Sequence, residues 1–227
     1  MQIKEDNNVI TFWYADAPVE IEYKVLVDGI TDINVKGCYV TPSLDSTRSH
    51  GDVSDVRGSV PTAGPGYRFV GWYKDEGGTQ SVEDSWVGDD NKLKPQAETN
   101  NVIRSATYYA KFEPIKLTIT VAGDNVKQKD TFLFRIKGKA NTATAGIDIT
   151  VSITGPNSTT VSYIPAGEYT ITELSNWSWR YSPVNAQDCT VIVNGDNKVE
   201  FNNTPVTDKF WLGGESSKEN KFSAIGS

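Results

Sequence analysis

The chain predicts a mainly β protein of two domains, the second a seven-stranded Greek-key sandwich. Three observations carry this. Short runs of alternating apolar and polar residues recur, separated by Gly, Asn, Asp and Pro, the pattern of sandwiches and barrels. No window keeps a 3.6-residue apolar period over the span of a long helix. Glu113-Pro114 breaks the strand pattern near the middle, because proline lacks a ladder donor and restricts the residue before it. With 227 residues there is room for two ordinary domains.

In the first half, Asn8 to Tyr14 (NVITFWY) reads as a strand that Ala15-Asp16-Ala17-Pro18 ends. Val19 to Val27 alternates, with Val19, Ile21, Tyr23, Val25 and Val27 on one face. Asp28-Gly29 is a turn signal, and Val35 to Val40 a further strand. Thr41 to Pro65 is rich in Ser, Gly, Asp and Thr and reads as a long loop. Tyr67 to Tyr73 is an aromatic strand, Lys74 to Asn91 a polar, turn-rich stretch, and Ala106 to Phe112 a closing strand with Thr107, Tyr109 and Lys111 on one face.

After Pro114 seven short strands follow: Lys116–Val121, Thr131–Ile136, Ile147–Ile153, Thr159–Ile164, Glu168–Leu174, Cys189–Val193 and Lys198–Asn202. Pro165-Ala166-Gly167 is a tight turn into an inner strand. Residues 206–227 are polar, with Phe210, Trp211, Leu212 and Phe222 as docking anchors, and read as a tail or linker.

Composition excludes several functions. The net charge is -7, which opposes nucleic acid and anionic membrane, both of which require a basic face. No apolar run approaches membrane-spanning length. The polar start, Met1-Gln2-Ile3-Lys4-Glu5-Asp6, has no signal-peptide pattern; with Gly226-Ser227 at the end it reads as an excised fragment. Cys38 and Cys189 fall in different domains and read as free thiols. With His50 the single histidine, no metal-ligand cluster forms. Asp84, Asp89, Asp90 and Asn91 do not match calcium-loop spacing. Ser49-His50-Gly51-Asp52 does not make a triad, whose members converge from separate elements. No catalytic residue, metal or cofactor is therefore expected, and no enzyme.

One chemical feature stands out. Tyr169 and Ile171 share a strand face with Glu173, and Val199 and Phe201 share one with Asn203. An inward carboxyl and an inward amide in one β domain are costly unless paired.

The stretches GYRFVGWYKDEG (Gly66–Gly77), KLKP (Lys92–Pro95) and ATYYAKFEP (Ala106–Pro114), with VEIEYKVLVDG and YVTPS upstream, resemble the internalin B-repeat family. That resemblance spans residues 18–113 and implies a small, mostly β, grasp-like module repeated in tandem on bacterial surface proteins. Residues 1–17 then read as a strand remnant of a preceding module. KLTITVAG, TFLFRI, IPAGEYTITE (Ile164–Glu173) and FNNT resemble the collagen-adhesin B-type domain over residues 115–205, which implies a prealbumin-like, Ig-like sandwich. NWSWRYSP (Asn176–Pro183) and KFWLGG are similar to variants of that domain in large secreted proteins of Gram-positive bacteria.

Cross-linked members of the second family carry an intramolecular isopeptide bond, in which a first-strand Lys attacks an Asn carboxamide and a Glu shuttles protons. The resemblance carries the acid onto Glu173 and the acceptor onto Asn203; the family Lys would fall at or near Thr120 or Val121. Lys116 is the candidate amine on the strand, but its parity sets it with Thr118 and Thr120, opposite Leu117, Ile119 and Val121. Two readings stay open: a bulge turns Lys116 inward and the bond forms, or the Lys is lost and Glu173 and Asn203 bond to each other. Parity favours the second.

Trp177, Trp179 and Tyr181 form a candidate ligand contact for sugar rings or protein. The alternative is that this segment closes one end of the sandwich with its rings over the core, which its position between two core strands favours. The expected function is a structural stalk or spacer of a bacterial cell-surface adhesin or pilin-like protein, located at the cell surface or wall, with neighbouring modules of the same chain as partners. The alternative is a binding module that contacts host glycan or extracellular matrix protein through the 41–65 loop or the Trp177/Trp179 segment.

Overall fold

The computed structural model describes residues 18–48, 56–97 and 102–206. The NVITFWY strand, the segment Ser49–Asp52 with His50, and the tail from residue 207 lie outside the described residues. The chain divides into two compact units. The first runs up to Gly64 and resumes over Phe69–Glu113; the second comprises Pro65–Arg68 and the chain from Pro114. The fold is mainly β. No helix among the described residues is long and apolar enough to cross a membrane.

The first unit is built on β1 (Pro18–Val27). Its alternation buries Val19, Ile21, Tyr23, Val25 and Val27, while Glu22 and Lys24 point outward and pair with each other at 3.0 Å. The main sheet has the order β2-β1-β8-β7, with β2 spanning Ile30–Asp32, β7 Tyr67–Tyr73 and β8 Ala106–Pro114. β8, the closing strand of the first half, lies inside the sheet between β1 and β7. It pairs with β1 in parallel, from Ile21↔Ala106 to Val27↔Phe112.

Two stretches differ from expectation. Val35–Val40 is split into β3 (Asn34–Val35) and β4 (Cys38–Thr41), because Lys36 and Gly37 take φ of 52° and 80° and turn the chain back on itself. The 41–65 stretch is not one loop: it contains β5 (Leu44–Arg48), antiparallel to β1, and β6 (Val60–Thr62), which pairs with β4. The core-facing residue of β5 is Asp45, only 2% exposed. It accepts hydrogen bonds from Arg57 Nε at 2.9 Å and the Gly58 N–H at 2.8 Å. A polar residue at an inward position hid this strand from any apolar pattern.

Among the described residues the second unit is a two-layer sandwich of seven strands. One sheet has the order β11-β10-β13-β14, the other β12-β9-β15. The strands are β9 (Lys116–Ala122), β10 (Thr131–Gly138), β11 (Asp148–Thr154), β12 (Ser158–Ser162), β13 (Gly167–Glu173), β14 (Gln187–Val191) and β15 (Lys198–Asn202). Their inner faces meet in a core containing Leu117, Ile119, Val121, Phe132, Phe134, Ile136, Tyr169, Ile171, Val199 and Phe201. The Phe134 and Phe201 rings join the two layers at 4.8 Å between centroids; burying each ring is worth roughly 1.5–3 kcal/mol. The first strand, β9, is central in its sheet and lies parallel to the last, β15.

Candidate functional site

The second unit holds two features: buried polar side chains at Glu173, Ser178 and Asn203, and an exposed aromatic segment. Glu173 ends β13, opposite Phe134 of β10, and is 5% exposed. Asn203 follows β15, two residues past Phe201, and is fully buried. Its backbone N–H donates to the Ala122 carbonyl at 2.8 Å, which extends the β9–β15 ladder by one bond. Gly123 allows this close approach: it has φ of 129°, and a Cβ there would collide with the Asn203 carbonyl oxygen.

Glu173 and Asn203 are not hydrogen-bonded to each other. Glu173 Oε1 accepts a short hydrogen bond from the buried Ser178 hydroxyl. Glu173 Oε2 and both side-chain polar atoms of Asn203 have no hydrogen-bond partner, at a cost of about 1–3 kcal/mol for each buried group left so. Ser178 is the member that sequence reasoning missed; a serine between two tryptophans carries no signal that it points inward.

The expected amine does not join them. Lys116 is exposed, on the opposite face of β9 from Leu117, Ile119 and Val121. Register separates it further. Asn202 stands opposite Ala122, so Asn203 is level with residue 123, seven residues beyond Lys116. At about 3.3 Å per residue that is about 23 Å, far beyond a side chain with a four-carbon stem. Among the described residues no lysine is buried. The inward position of β9 nearest Asn203 is Val121, opposite Phe201.

The aromatic segment follows β13. Trp177 is 68% and Trp179 38% exposed; these rings do not cover the core. Tyr181 does so instead: it is 3% exposed and packs on Phe132 at 4.9 Å. Its hydroxyl donates to Asp130 Oδ2 at 2.7 Å and accepts from the Lys127 N–H at 3.1 Å. Burial holds its pKa above the usual tyrosine value. The Arg180 guanidinium lies 5.0 Å from the Trp179 ring centre and bonds Asp130 Oδ1 at 3.3 Å. Backbone bonds from Ser182 to Thr204 and from Val206 to Arg180 tie the segment to the chain leaving β15.

Among the described residues no three His, Cys, Asp or Glu side chains gather as a metal site. Cys38 is buried and Cys189 half-buried, and both are free thiols. Burial raises both thiol pKa values.

Residues 115–206 match the family model described as a domain of unknown function, DUF5979. No curated protein matches the chain. Three solved structures illustrate what the chain is similar to. The pilus-presented adhesin Cpa is 19% identical, with a TM-score of 0.31 over 51% of this chain and 34% of that one; the chain thus spans about a third of that protein. BcpA, the major pilin subunit of Bacillus cereus, is 13% identical, with a TM-score of 0.36 over 90% of this chain and 77% of that one. An adhesin from Mobiluncus mulieris, containing intramolecular disulfide, isopeptide and ester bond cross-links, is 12% identical, with a TM-score of 0.31 over 75% and 60%. At these identities the likeness concerns β architecture alone.

Proposed function

We propose that this chain is a load-bearing stalk or spacer segment of a bacterial cell-surface adhesin or pilin-like protein. One observation carries the mechanical part. In each unit, taken by itself, the first and the last of the described strands are hydrogen-bonded neighbours running parallel: β1 with β8 over seven residue pairs, and β9 with β15 over five. When a chain is pulled from its two ends, parallel end strands are drawn past each other along their length. Every bond of the ladder then resists at once, each worth about 1 kcal/mol net. An antiparallel end pair would be peeled open one bond at a time.

The second unit lengthens its clamp with two flanking bonds, from the Thr118 N–H to the Asn197 carbonyl and from the Asn203 N–H to the Ala122 carbonyl. The cell-surface setting is supported by the resemblance of the aromatic-glycine motif to internalin B-repeats and of IPAGEYTITE and FNNT to collagen-adhesin B-type domains. Resistance comes from the ladder and the core rather than from a covalent staple, since Lys116 is remote from Asn203.

The test is single-molecule pulling of the full chain from its termini. The reading expects two separate high-force unfolding steps, one for each unit. Unfolding of both units at the low forces of peptide unzipping would overturn it.

A further inference from the structure

The second unit carries a surface cleft of about 410 Å³, within the usual range of binding clefts, about 300–1,000 Å³. Leu133 and Tyr181 floor it, and Lys129, Asp130, Trp177 and Arg180 stand around it. The Arg180 guanidinium lies over the Trp179 ring, so Trp179 serves as wall rather than as a free face.

Leu133 is the odd residue of β10. The other outward positions of that strand are Thr131, Arg135 and Lys137, all exposed, whereas Leu133 is half-buried. Alternation sets it on the solvent side of the sheet, so the core does not account for an apolar side chain there. Trp177, 68% exposed, brings a second large apolar side chain to the same cleft.

The chain itself arrives at this cleft. The Val206 N–H donates to the Arg180 carbonyl at 2.8 Å and the Ser182 N–H to the Thr204 carbonyl at 2.9 Å, and Tyr181 and Pro205 form an antiparallel bridge. That sense directs the chain beyond Val206 toward Trp179 and Trp177. The sequence continues Thr207-Asp208-Lys209-Phe210-Trp211-Leu212-Gly213-Gly214: three adjacent large apolar side chains in a mostly polar stretch. Phe210 is four residues past Val206, within about 14 Å of it in an extended chain. Charge agrees with this occupant. Asp130 already pairs with Arg180 at 3.3 Å, whereas Lys129 is exposed and has no ion pair among the described residues, and Asp208 stands two residues before Phe210. A segment tethered this closely is presented at roughly millimolar effective concentration, so it needs little intrinsic affinity to occupy the cleft.

We propose that residues 208–212 of the chain's own tail dock in this cleft, with the Phe210 and Trp211 rings over Leu133 and Trp177 and the Asp208 carboxylate at Lys129. The contact concerns the second unit alone and is independent of the mechanical role. The experiment is hydrogen–deuterium exchange, read by mass spectrometry, on the full chain and on two full-length variants. In the unaltered chain the amides of residues 208–212 are expected to exchange at least tenfold more slowly than in an unstructured peptide, and Trp177→Ala should release them. In Phe210→Ser/Trp211→Ser/Leu212→Ser the amides of residues 177–180 should exchange at least tenfold faster. Unchanged exchange in β9 and β13 will show that the variants keep the sandwich. Tail amides that exchange at the unstructured rate, or equal protection of residues 177–180 without the three apolar side chains, would overturn the docking. Tail protection undiminished by Trp177→Ala would overturn the cleft as its site. Protection that rises with protein concentration would assign the cleft to the tail of a second copy and overturn the contact within one chain.

Discussion

Val121 and Phe201 face each other across the parallel β9–β15 ladder, both buried and both on the inner face. Two residues beyond Phe201, Asn203 points its amide into the same core with neither polar atom paired. The residues onto which the collagen-adhesin resemblance carries the acid and the acceptor, Glu173 and Asn203, are therefore both buried, and the inward β9 position nearest Asn203 holds a valine.

This arrangement makes the covalent state of the protein predictable. The chain as it stands should have its full sequence mass after denaturation and reduction. Val121→Lys should place an amine beside Asn203 with Glu173 available as proton carrier. That variant should lose the mass of one ammonia, and peptide mapping should join residue 121 to Asn203. Adding Glu173→Ala should restore the full mass.

Ser178 is the hydrogen-bond donor to Glu173. Ser178→Ala should leave a buried carboxyl with neither oxygen paired, at a cost of about 1–3 kcal/mol. Urea denaturation followed by circular dichroism should show a lower midpoint with an unchanged slope. An unchanged midpoint would mean that Ser178 does not support the core.

Tyr169 gives the second unit an alkaline limit. Burial pushes its pKa up to about 12 from 10.0, and its hydroxyl donates to the Pro165 carbonyl at 2.7 Å. The folded state keeps this proton where the unfolded chain releases it. Its contribution is therefore fully present below pH 10 and is lost as pH rises from about 10 to 12. Denaturation midpoints of the second unit should fall over that window, and Tyr169→Phe, though weaker at neutral pH, should fall less.

The sandwich was legible because its core strands are apolar at alternate positions: Leu117, Ile119 and Val121 on β9, and Tyr169 and Ile171 on β13, announce their inner face without help. Strands without that signature were not legible. Thr47, Asp45 and Val19 show why: β5 has a carboxylate where a core residue would stand, and its place beside β1 depends on long-range bonds from Arg57 and Gly58. At the site, parity alone set Lys116 on the outer face. Its distance from Asn203 needed the β9–β15 register, which no local pattern encodes. From sequence the tryptophans read as core cover, because they lie between core strands; in the structure it is Ser178 between them that is buried, bonded to Glu173 five positions earlier.

The most direct test of the load-bearing account compares two pulling directions within the second unit. Handles at Lys116→Cys and Asn202→Cys draw β9 and β15 past each other; handles at Lys116→Cys and Lys198→Cys, at the same end of the pair, peel them apart. All three positions are exposed, and Cys38 and Cys189 would first be replaced. The account expects the first pair to need several times the unfolding force of the second. Equal forces in the two directions would contradict it.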